Sequence, residues 1–197
     1  MAYLDCLPMK VTSEQEGNLD IEFLHEIGAG MSAAPLSRVL DRIVRFVTAV
    51  MKCDSCFVYV LSDRDLVLRA SKNLHAEVVD RLTIRFGQGI TGWVAEHKKP
   101  VAIARKAYQD PRFQSFNELP EDQYEAFLSV PVMCRGKLVG VINVQHRQPH
   151  AHSRRDVQLI STIGFLVGAE MELARMEEQI WKLSREVRAL KSSQAEK

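Results

Sequence analysis

The residues with the clearest chemical potential form a glycine-rich turn in the middle of the chain. Residues 87–92, Gly-Gln-Gly-Ile-Thr-Gly, match the pattern G-x-G-x-x-G, which can present backbone N–H groups to an anion at the start of a helix. Apolar or aromatic residues then recur at helical spacing at Ile90, Trp93, Val94 and His97. A dinucleotide site is disfavoured because this helix is too short for the usual crossover, and because the next strand ends in Arg105 and Lys106 instead of an acid for a ribose. We expect a tight turn that packs a short helix on a sheet.

Two cysteines form a second candidate for chemistry, a single C-x-x-C at Cys53 and Cys56. Structural zinc would need two more ligands, and a redox pair would place its first cysteine at a helix start. Cys53 instead follows a helical pattern and Cys56 begins a strand pattern, so two ordinary, partly buried thiols are expected. Cys134 would approach Cys56 if their strands were neighbours, which leaves a redox-sensitive cluster as an alternative.

Three histidines in one loop, His146, His150 and His152, have the side chain that most often binds metals. The same segment also suits an ordinary connection between a strand and a helix. We therefore expect solvent-exposed or capping histidines and assign no metal, with a bound metal as the less favoured alternative.

Composition narrows the class of protein. The chain has 197 residues, of which 46% are hydrophobic and 26% charged, and its net charge is +1. This balance gives no electrostatic case for nucleic acid or a membrane surface. No apolar run approaches the length of a membrane span, the N-terminus lacks a signal-peptide pattern, and the irregular spread of four cysteines favours a reducing compartment. These features predict a cytoplasmic protein with no nucleic-acid partner and no membrane partner.

The elements that must position the candidate residues follow from hydrophobic periodicity. A loose arm over residues 1–17 precedes a short helix over residues 18–30, and Pro35 opens a second helix with a strong apolar face. Strand patterns cover residues 56–61, 65–71, 82–86, 101–104, 126–134 and 137–145. Residues 105–125 predict a lid-like loop with one or two helical turns. Ser153 caps a long helix that runs to about residue 190.

This order of elements predicts one antiparallel sheet with the terminal helices on one face. The excursion over residues 86–125 would then cover the other face and enclose a pocket. On the last strand, Leu138, Ile142 and Val144 share one face, and Val139, Val141, Asn143 and Gln145 share the other. Since the purely apolar set should pack on the helices, Val141 and Asn143 of the second set should face the pocket. The predicted lining is Tyr59, Trp93, Phe113, Phe116, Tyr124, Phe127, Ser129, Val141 and Asn143. The alternative is that these aromatic residues simply fill a second core.

The last part of the long helix carries a heptad repeat of apolar residues. Its members are Leu166, Ala169, Leu173, Met176, Ile180, Leu183, Val187 and Leu190. Such a seam cannot bury itself, so it predicts a parallel coiled-coil dimer or a helical connection to another domain.

Several separated motifs occur in an order that resembles a GAF domain. They are Phe86-Gly-Gln-Gly-Ile-Thr-Gly-Trp-Val-Ala-Glu96, Pro100-Val-Ala-Ile-Ala104, Asp110-Pro-Arg-Phe113, Ser129-Val-Pro-Val132 and Gly140-Val-Ile-Asn-Val-Gln145. The resemblance covers residues 18–175, leaving residues 176–197 as a coiled-coil extension, and is similar to GAF domains of bacterial regulators. It implies an α+β, PAS-related fold with a central antiparallel sheet of about six strands. It also implies a small-molecule pocket and a homodimer formed through the N- and C-terminal helices.

The resemblance also bears on catalysis. One enzymatic branch, the free methionine-(R)-sulfoxide reductases, carries a cysteine nucleophile at the position that matches Thr91, and a hydroxyl cannot replace that thiol. The resemblance therefore implies a non-catalytic sensory domain. Its ligand would contact Gly89, Thr91 and Trp93. The resemblance implies no particular cofactor. The output domain, which would respond to the signal, would lie on a separate protein or on a missing part of a longer chain. The alternatives are a dimerisation or scaffold module without a ligand, and a reductase relative that lacks the catalytic cysteine.

Overall fold

The computed structural model describes residues 35–72, 78–114 and 124–195, together with the helical position His25. The predicted arm over residues 1–17 and the rest of the predicted helix over residues 18–30 lie outside these ranges. So do residues 115–123 of the predicted lid.

The described elements are helices and the strands of one sheet. In chain order they are α1 (Leu36–Met51), β1 (Ser55–Ser62), β2 (Asp65–Lys72), β3 (Thr83–Arg85), α2 (Gly89–His97), β4 (Val101–Ile103), a 3-10 turn (Ala107–Gln109), β5 (Ala126–Cys134), β6 (Lys137–His146) and α3 (Arg154–Ala195). The sheet has six strands in the order β3-β2-β1-β6-β5-β4, and its neighbours are antiparallel. This confirms the predicted α+β fold with a central antiparallel sheet.

Short turns set the register of the two hairpins. Ser62 pairs with Asp65, and Cys134 pairs with Lys137, so each hairpin turns over two residues. In the second turn Arg135 and Gly136 both have positive φ, 48° and 77°. This backbone twist matches the twist of the flanking strands, which explains why a glycine occupies the turn.

The first core lies between the sheet and the helices α1 and α3. The apolar stripe of α1 is buried there, as are Ile160, Ile163, Val167 and Met171 of α3. Gly168 allows α3 to approach β5 closely, since a Cβ at this position would lie 2.6 Å from the carbonyl oxygen of Met133. The described terminal helices therefore share one face of the sheet, as the sequence predicts.

A β-bulge changes the predicted faces of strand β6. The pairing of β5 with β6 shifts between Val132 and Met133, so that Val132 opposes Gly140 while Met133 opposes Leu138. Val139 is the extra residue, and it packs in the first core while Leu138 turns to the opposite face. The prediction for these two residues is wrong because a bulge interrupts the two-residue alternation. Beyond the bulge, Val141 faces away from α1 and α3 as predicted.

Helix α3 has 42 residues and is therefore roughly 63 Å long at 1.5 Å per residue. It is one continuous helix through the predicted boundary at residue 175. Within residues 154–188 one 18-residue stretch, with a mean hydropathy of 1.4, is long and apolar enough to cross a membrane by length and composition alone. This corrects the expectation that no apolar run approaches such a length. One third of that stretch is buried against the domain, which accounts for part of its apolar character.

Candidate functional site

The glycine-rich turn connects the end of β3 to the start of α2. Gln88 closes it, because its N–H donates to the carbonyl oxygen of Arg85 at 3.1 Å and its side-chain oxygen accepts from the N–H of Arg85 at 3.0 Å. Gly87 and Gly89 have positive φ, 76° and 65°. A Cβ at Gly92 would lie 2.3 Å from the carbonyl oxygen of Arg85, closer than any side chain allows. The glycines therefore build the turn and let α2 lie against it, which agrees with the packing interpretation.

Helix α2 covers the face of the sheet opposite α1 and α3. Its residues Ile90 and Val94 belong to a second core, in which three predicted lining residues are also buried: Tyr59, Phe127 and Val141. Trp93 and Phe113 are partly buried against the same cluster. The structure thus brings these predicted site residues together, and the contacts among them are those of a packed core.

A chain of buried hydrogen bonds crosses this face and joins α2 to two strands. The hydroxyl of Ser129 donates to Oδ1 of Asn143 at 2.7 Å, and Nδ2 of Asn143 donates to the hydroxyl oxygen of Thr91 at 2.8 Å. All three residues are buried, with exposures of 0%, 1% and 5% for Ser129, Asn143 and Thr91. Buried polar groups are costly unless they find such partners. The polar residues predicted for the pocket are therefore one connected network that fixes the position of α2.

The outer edge of α2 carries an aromatic and charged surface. The ring of Trp93 stacks on His97 with a centroid separation of 4.1 Å, and the guanidinium of Arg112 lies 4.8 Å from the Trp93 ring. Arg112 makes two hydrogen bonds to the carboxylate of Asp110, at 2.8 and 2.9 Å. These hydrogen bonds lower the pKa of Asp110. His97 is exposed and stacks on Trp93, so it does not pack on the sheet as its helical spacing predicts.

The two remaining predicted lining residues belong to the excursion between β4 and β5. Tyr124 is buried, and it directly precedes a backbone anchor in which the N–H of Glu125 donates to the carbonyl oxygen of His146 at 2.9 Å. The carbonyl oxygen of Glu125 in turn accepts from Ala107 at 2.9 Å. Phe116 lies outside the described residues. The described ends of the excursion are thus tied to β6 and to each other.

The cysteines are placed for packing. Cys53 and Cys56 are buried, and burial raises the pKa of Cys53 to about 11 and that of Cys56 well above its usual value. Both thiols are therefore protonated at neutral pH and are poor nucleophiles, as expected for ordinary buried cysteines.

Cys134 does not approach Cys56. Strands β1 and β5 lie on opposite sides of β6, where Cys56 pairs with Val144 and Cys134 pairs with Lys137. These two β6 positions differ by seven residues, which is roughly 23 Å along a strand. The predicted alternative of a cluster between these cysteines is wrong because β6 inserts between their strands.

The three histidines form a compact cluster, which corrects the expectation of exposed or capping residues. His146 is 5% exposed and ends β6. The rings of His146 and His150 stack at 4.0 Å, and the ring of His152 lies 5.2 and 4.9 Å from these two rings. Burial and the neighbouring histidines lower the pKa of His152 to about 4. The sequence already places these three possible metal ligands in one segment, but the burial of His146 and the stacking of the rings follow only from the fold.

The fold and the candidate site define a class of protein. A six-stranded antiparallel sheet has helices packed on both faces, and α2 closes an apolar face around a small polar network. Such an arrangement defines an α+β domain with a central antiparallel sheet between two helical layers. The GAF domain model matches residues 35–171, so the chain belongs to the GAF domain family.

Known relatives agree with this assignment. The chain is similar to a Nif-specific regulatory protein of Azospirillum lipoferum, with 25% identity over 175 residues, 84% of this chain and 28% of that protein. The chain thus spans just over a quarter of the length of that relative. The GAF domain of a phosphoenolpyruvate-protein phosphotransferase from Coxiella burnetii has a TM-score of 0.74 and 26% identity, covering 81% of this chain and 96% of that one. These matches support a sensory or regulatory module.

An enzyme shares the fold. The free methionine-R-sulfoxide reductase from Neisseria meningitidis superposes with a TM-score of 0.68 over 88% of this chain and 99% of that one. Its identity to this chain is 15%, so the likeness concerns the fold alone.

Proposed function

We propose that this chain is a non-catalytic sensory GAF domain that binds a small molecule on the α2 side of the sheet and transmits binding through α3. The proposed ligand contacts are Gly89, Thr91 and Trp93 of α2, supported by the predicted lining residues of the sheet. Trp93 and Phe113 are only partly buried, so they offer aromatic surface at the edge of the second core. A small ligand with an aromatic or carbonyl-rich part fits such a surface.

The observation that carries the proposal is the hydrogen-bonded chain of Ser129, Asn143 and Thr91. It connects α2 to β6 at Asn143, and the residues on either side of Asn143, Ile142 and Val144, pack in the first core with α1 and α3. A ligand that moved α2 would therefore act on a strand whose other face supports α3. Transmission requires a helix arrangement with two alternative states, which the ligand would favour unequally.

Lack of catalysis is the next part of the proposal. By the resemblance to GAF domains, Thr91 matches the position of the nucleophile in the reductase branch, and its hydroxyl accepts a hydrogen bond from Asn143 at 2.8 Å. The thiols of Cys53 and Cys56 are buried and protonated. A relative named as a regulatory protein supports the same view.

We place the domain in the cytoplasm, with its output on a separate protein or on another part of a longer chain.

The experiment that tests ligand binding is native mass spectrometry of the chain purified from its own cells, followed by thermal shift assays with metabolites and nucleotides. We expect a retained small molecule in the wild-type chain, and its loss in Trp93→Ala. Phe165→Ala is the matched control, because Phe165 is an aromatic residue of α3 that is 64% exposed and distant in sequence from the proposed site. It should keep the ligand.

The opposite result would support the main alternative. A purified chain that retains no small molecule and shows no thermal shift with any compound would contradict the sensor proposal. It would favour a dimerisation or scaffold module. Turnover of free methionine sulfoxide by the wild-type chain would instead contradict the non-catalytic assignment.

A further inference from the structure

The histidine cluster at the junction of β6 and α3 has no role in the function proposed above. One ring nitrogen from each of His146, His150 and His152 lies within 4.8 Å of the other two. Among the described residues, the buried ring nitrogens without a hydrogen-bond partner are Nε2 of His146 and both Nδ1 and Nε2 of His152. Buried polar atoms usually have hydrogen-bond partners, and no group of the described chain bonds these ring nitrogens.

The backbone of the cluster is held in place by the fold. The carbonyl oxygen of His146 accepts from Glu125, and the N–H of His150 donates to Ala104, both at 2.9 Å. His152 precedes Ser153, which forms a reciprocal cap with Asp156: the N–H of Ser153 donates to the Asp156 carboxylate at 2.7 Å, and the N–H of Asp156 donates to the Ser153 hydroxyl at 3.2 Å. The three rings thus converge from positions that are fixed independently of one another.

We propose that His146, His150 and His152 form a binding site for a divalent transition-metal ion, with Zn²⁺ as the first choice. Three neutral imidazoles are a common ligand set for Zn²⁺ and leave a fourth, open position for water or an exogenous ligand. Imidazole also disfavours Mg²⁺ and Ca²⁺, which require oxygen ligands. This site is separate from the proposed small-molecule site, so neither proposal depends on the other.

The geometry requires only a local adjustment. Zn–N bonds of about 2.0–2.1 Å in a tetrahedron place the nitrogen atoms roughly 3.3 Å apart. The nitrogen atoms now lie within 4.8 Å of one another, so the rings must close slightly and the stacked pair His146 and His150 must splay. These are side-chain rotations around a fixed backbone.

Nearby charges favour a cation. The carboxylates of Asp54 and Asp156 act electrostatically on His146, and hydrogen bonds hold each of them in position. Oδ2 of Asp54 accepts from the N–H of Arg147 at 2.7 Å, just beyond the end of β6. Carboxylates next to metal-binding histidines commonly orient the ligands and balance the charge of the ion. A bound ion would join the end of β6 to the start of α3 and fix the direction in which this helix leaves the sheet.

The test is a Zn²⁺ titration of the full chain, with any affinity tag removed and after treatment with a chelator. Zn²⁺ is titrated in competition with a chromophoric indicator, and Co²⁺ replaces Zn²⁺ in a parallel experiment for its visible absorption. We expect one equivalent of bound metal and the absorption bands of Co²⁺ coordinated by nitrogen atoms in a four- or five-coordinate site.

Variants identify the ligands. His150→Ala and His152→Ala should each weaken Zn²⁺ binding by at least about tenfold, the lower end of what even outer-shell changes cost. His97→Ala is the control, because His97 is an exposed histidine of α2 outside the cluster, and this substitution should leave the Zn²⁺ affinity unchanged. Circular dichroism checks that each variant is folded. Stoichiometric binding that persists in both cluster variants, or the absence of micromolar binding in the wild-type chain, would overturn the proposal.

Discussion

At the scale of single residues, Asn143 has the most consequential position in the chain. It lies at the centre of β6 and uses both atoms of its amide in hydrogen bonds, one to Ser129 and one to Thr91. This explains why a polar side chain is buried between the apolar residues Ile142 and Val144 of β6. The same residue was expected to line a pocket, and it lies on the predicted face of the sheet.

We predict that Asn143→Ala destabilises the domain by about 2–4 kcal/mol. The substitution leaves a cavity and removes the partner of two buried hydroxyls. Ser129→Ala removes only the terminal donor of the chain and should cost about 1 kcal/mol. Urea denaturation followed by circular dichroism measures both values. Equal effects of the two substitutions would show that the amide of Asn143 does not hold the network together.

At the scale of elements, the turn before α2 depends on glycine for steric reasons. Gly92 is helical, yet a Cβ there would collide with the carbonyl oxygen of Arg85 at 2.3 Å. The carbonyl oxygen of Arg85 belongs to the backbone, so it cannot move away from an added Cβ as the end of a flexible side chain can. The position of α2 on the sheet, and with it the network at Thr91, therefore depends on this one close approach.

We predict that Gly92→Ala destabilises the domain by about 1–3 kcal/mol or more through overpacking. Gly164→Ala is the matched control, since Gly164 is also helical and a Cβ there would meet its nearest neighbour at 3.6 Å, an ordinary contact. Its alanine variant should gain about 0.5–1 kcal/mol from higher helix propensity. The midpoint temperatures of thermal unfolding of the two variants should therefore shift in opposite directions from that of the wild-type chain. A common shift would contradict the steric explanation.

At the scale of the whole molecule, α3 has two apolar stripes with different roles. The first packs on the sheet through Ile160, Ile163, Val167 and Met171. The second is the heptad seam, of which Leu173, Met176, Ile180, Leu183 and Val187 are between 48% and 61% exposed in a single chain. A large exposed apolar stripe at coiled-coil spacing is a common sign of an interface. Dimerisation through this helix stays a proposal, and the exposed seam motivates it.

We predict that the chain is a dimer in solution and that Ile180→Glu converts it to a monomer, because the charge would lie in the interior of a coiled coil. Trp181→Glu is a close control: Trp181 is the next residue, is apolar and has 58% exposure against 61% for Ile180, but it lies off the seam. It should remain dimeric. Sedimentation equilibrium distinguishes the species. A monomeric wild-type chain, or dissociation of both variants, would contradict a seam at these positions.

Some features of the fold follow from local sequence signals, and others depend on how the strands pair. The strands, the hairpin turn at Arg135 and Gly136 and the helix α1 follow from periodicity and turn chemistry, because these signals are local. The faces of Leu138 and Val139 do not, because the bulge exists only in the pairing of β5 with β6. The alternative that Cys134 approaches Cys56 is wrong for the same reason, since strand order depends on the whole sheet.

Taken alone, the amino-acid sequence determined most of the elements, the family and, beyond the bulge in β6, the residues that face α2, because hydrophobic alternation and a glycine-rich turn are recognised within a few neighbouring positions. Tertiary structure decided which of those polar residues bond to one another, as in the chain from Ser129 through Asn143 to Thr91. It also decided that His146, His150 and His152 meet. The physical reason is the same in both cases: a hydrogen bond or a metal site depends on distances of a few ångströms between groups that only the packing of separate elements brings together.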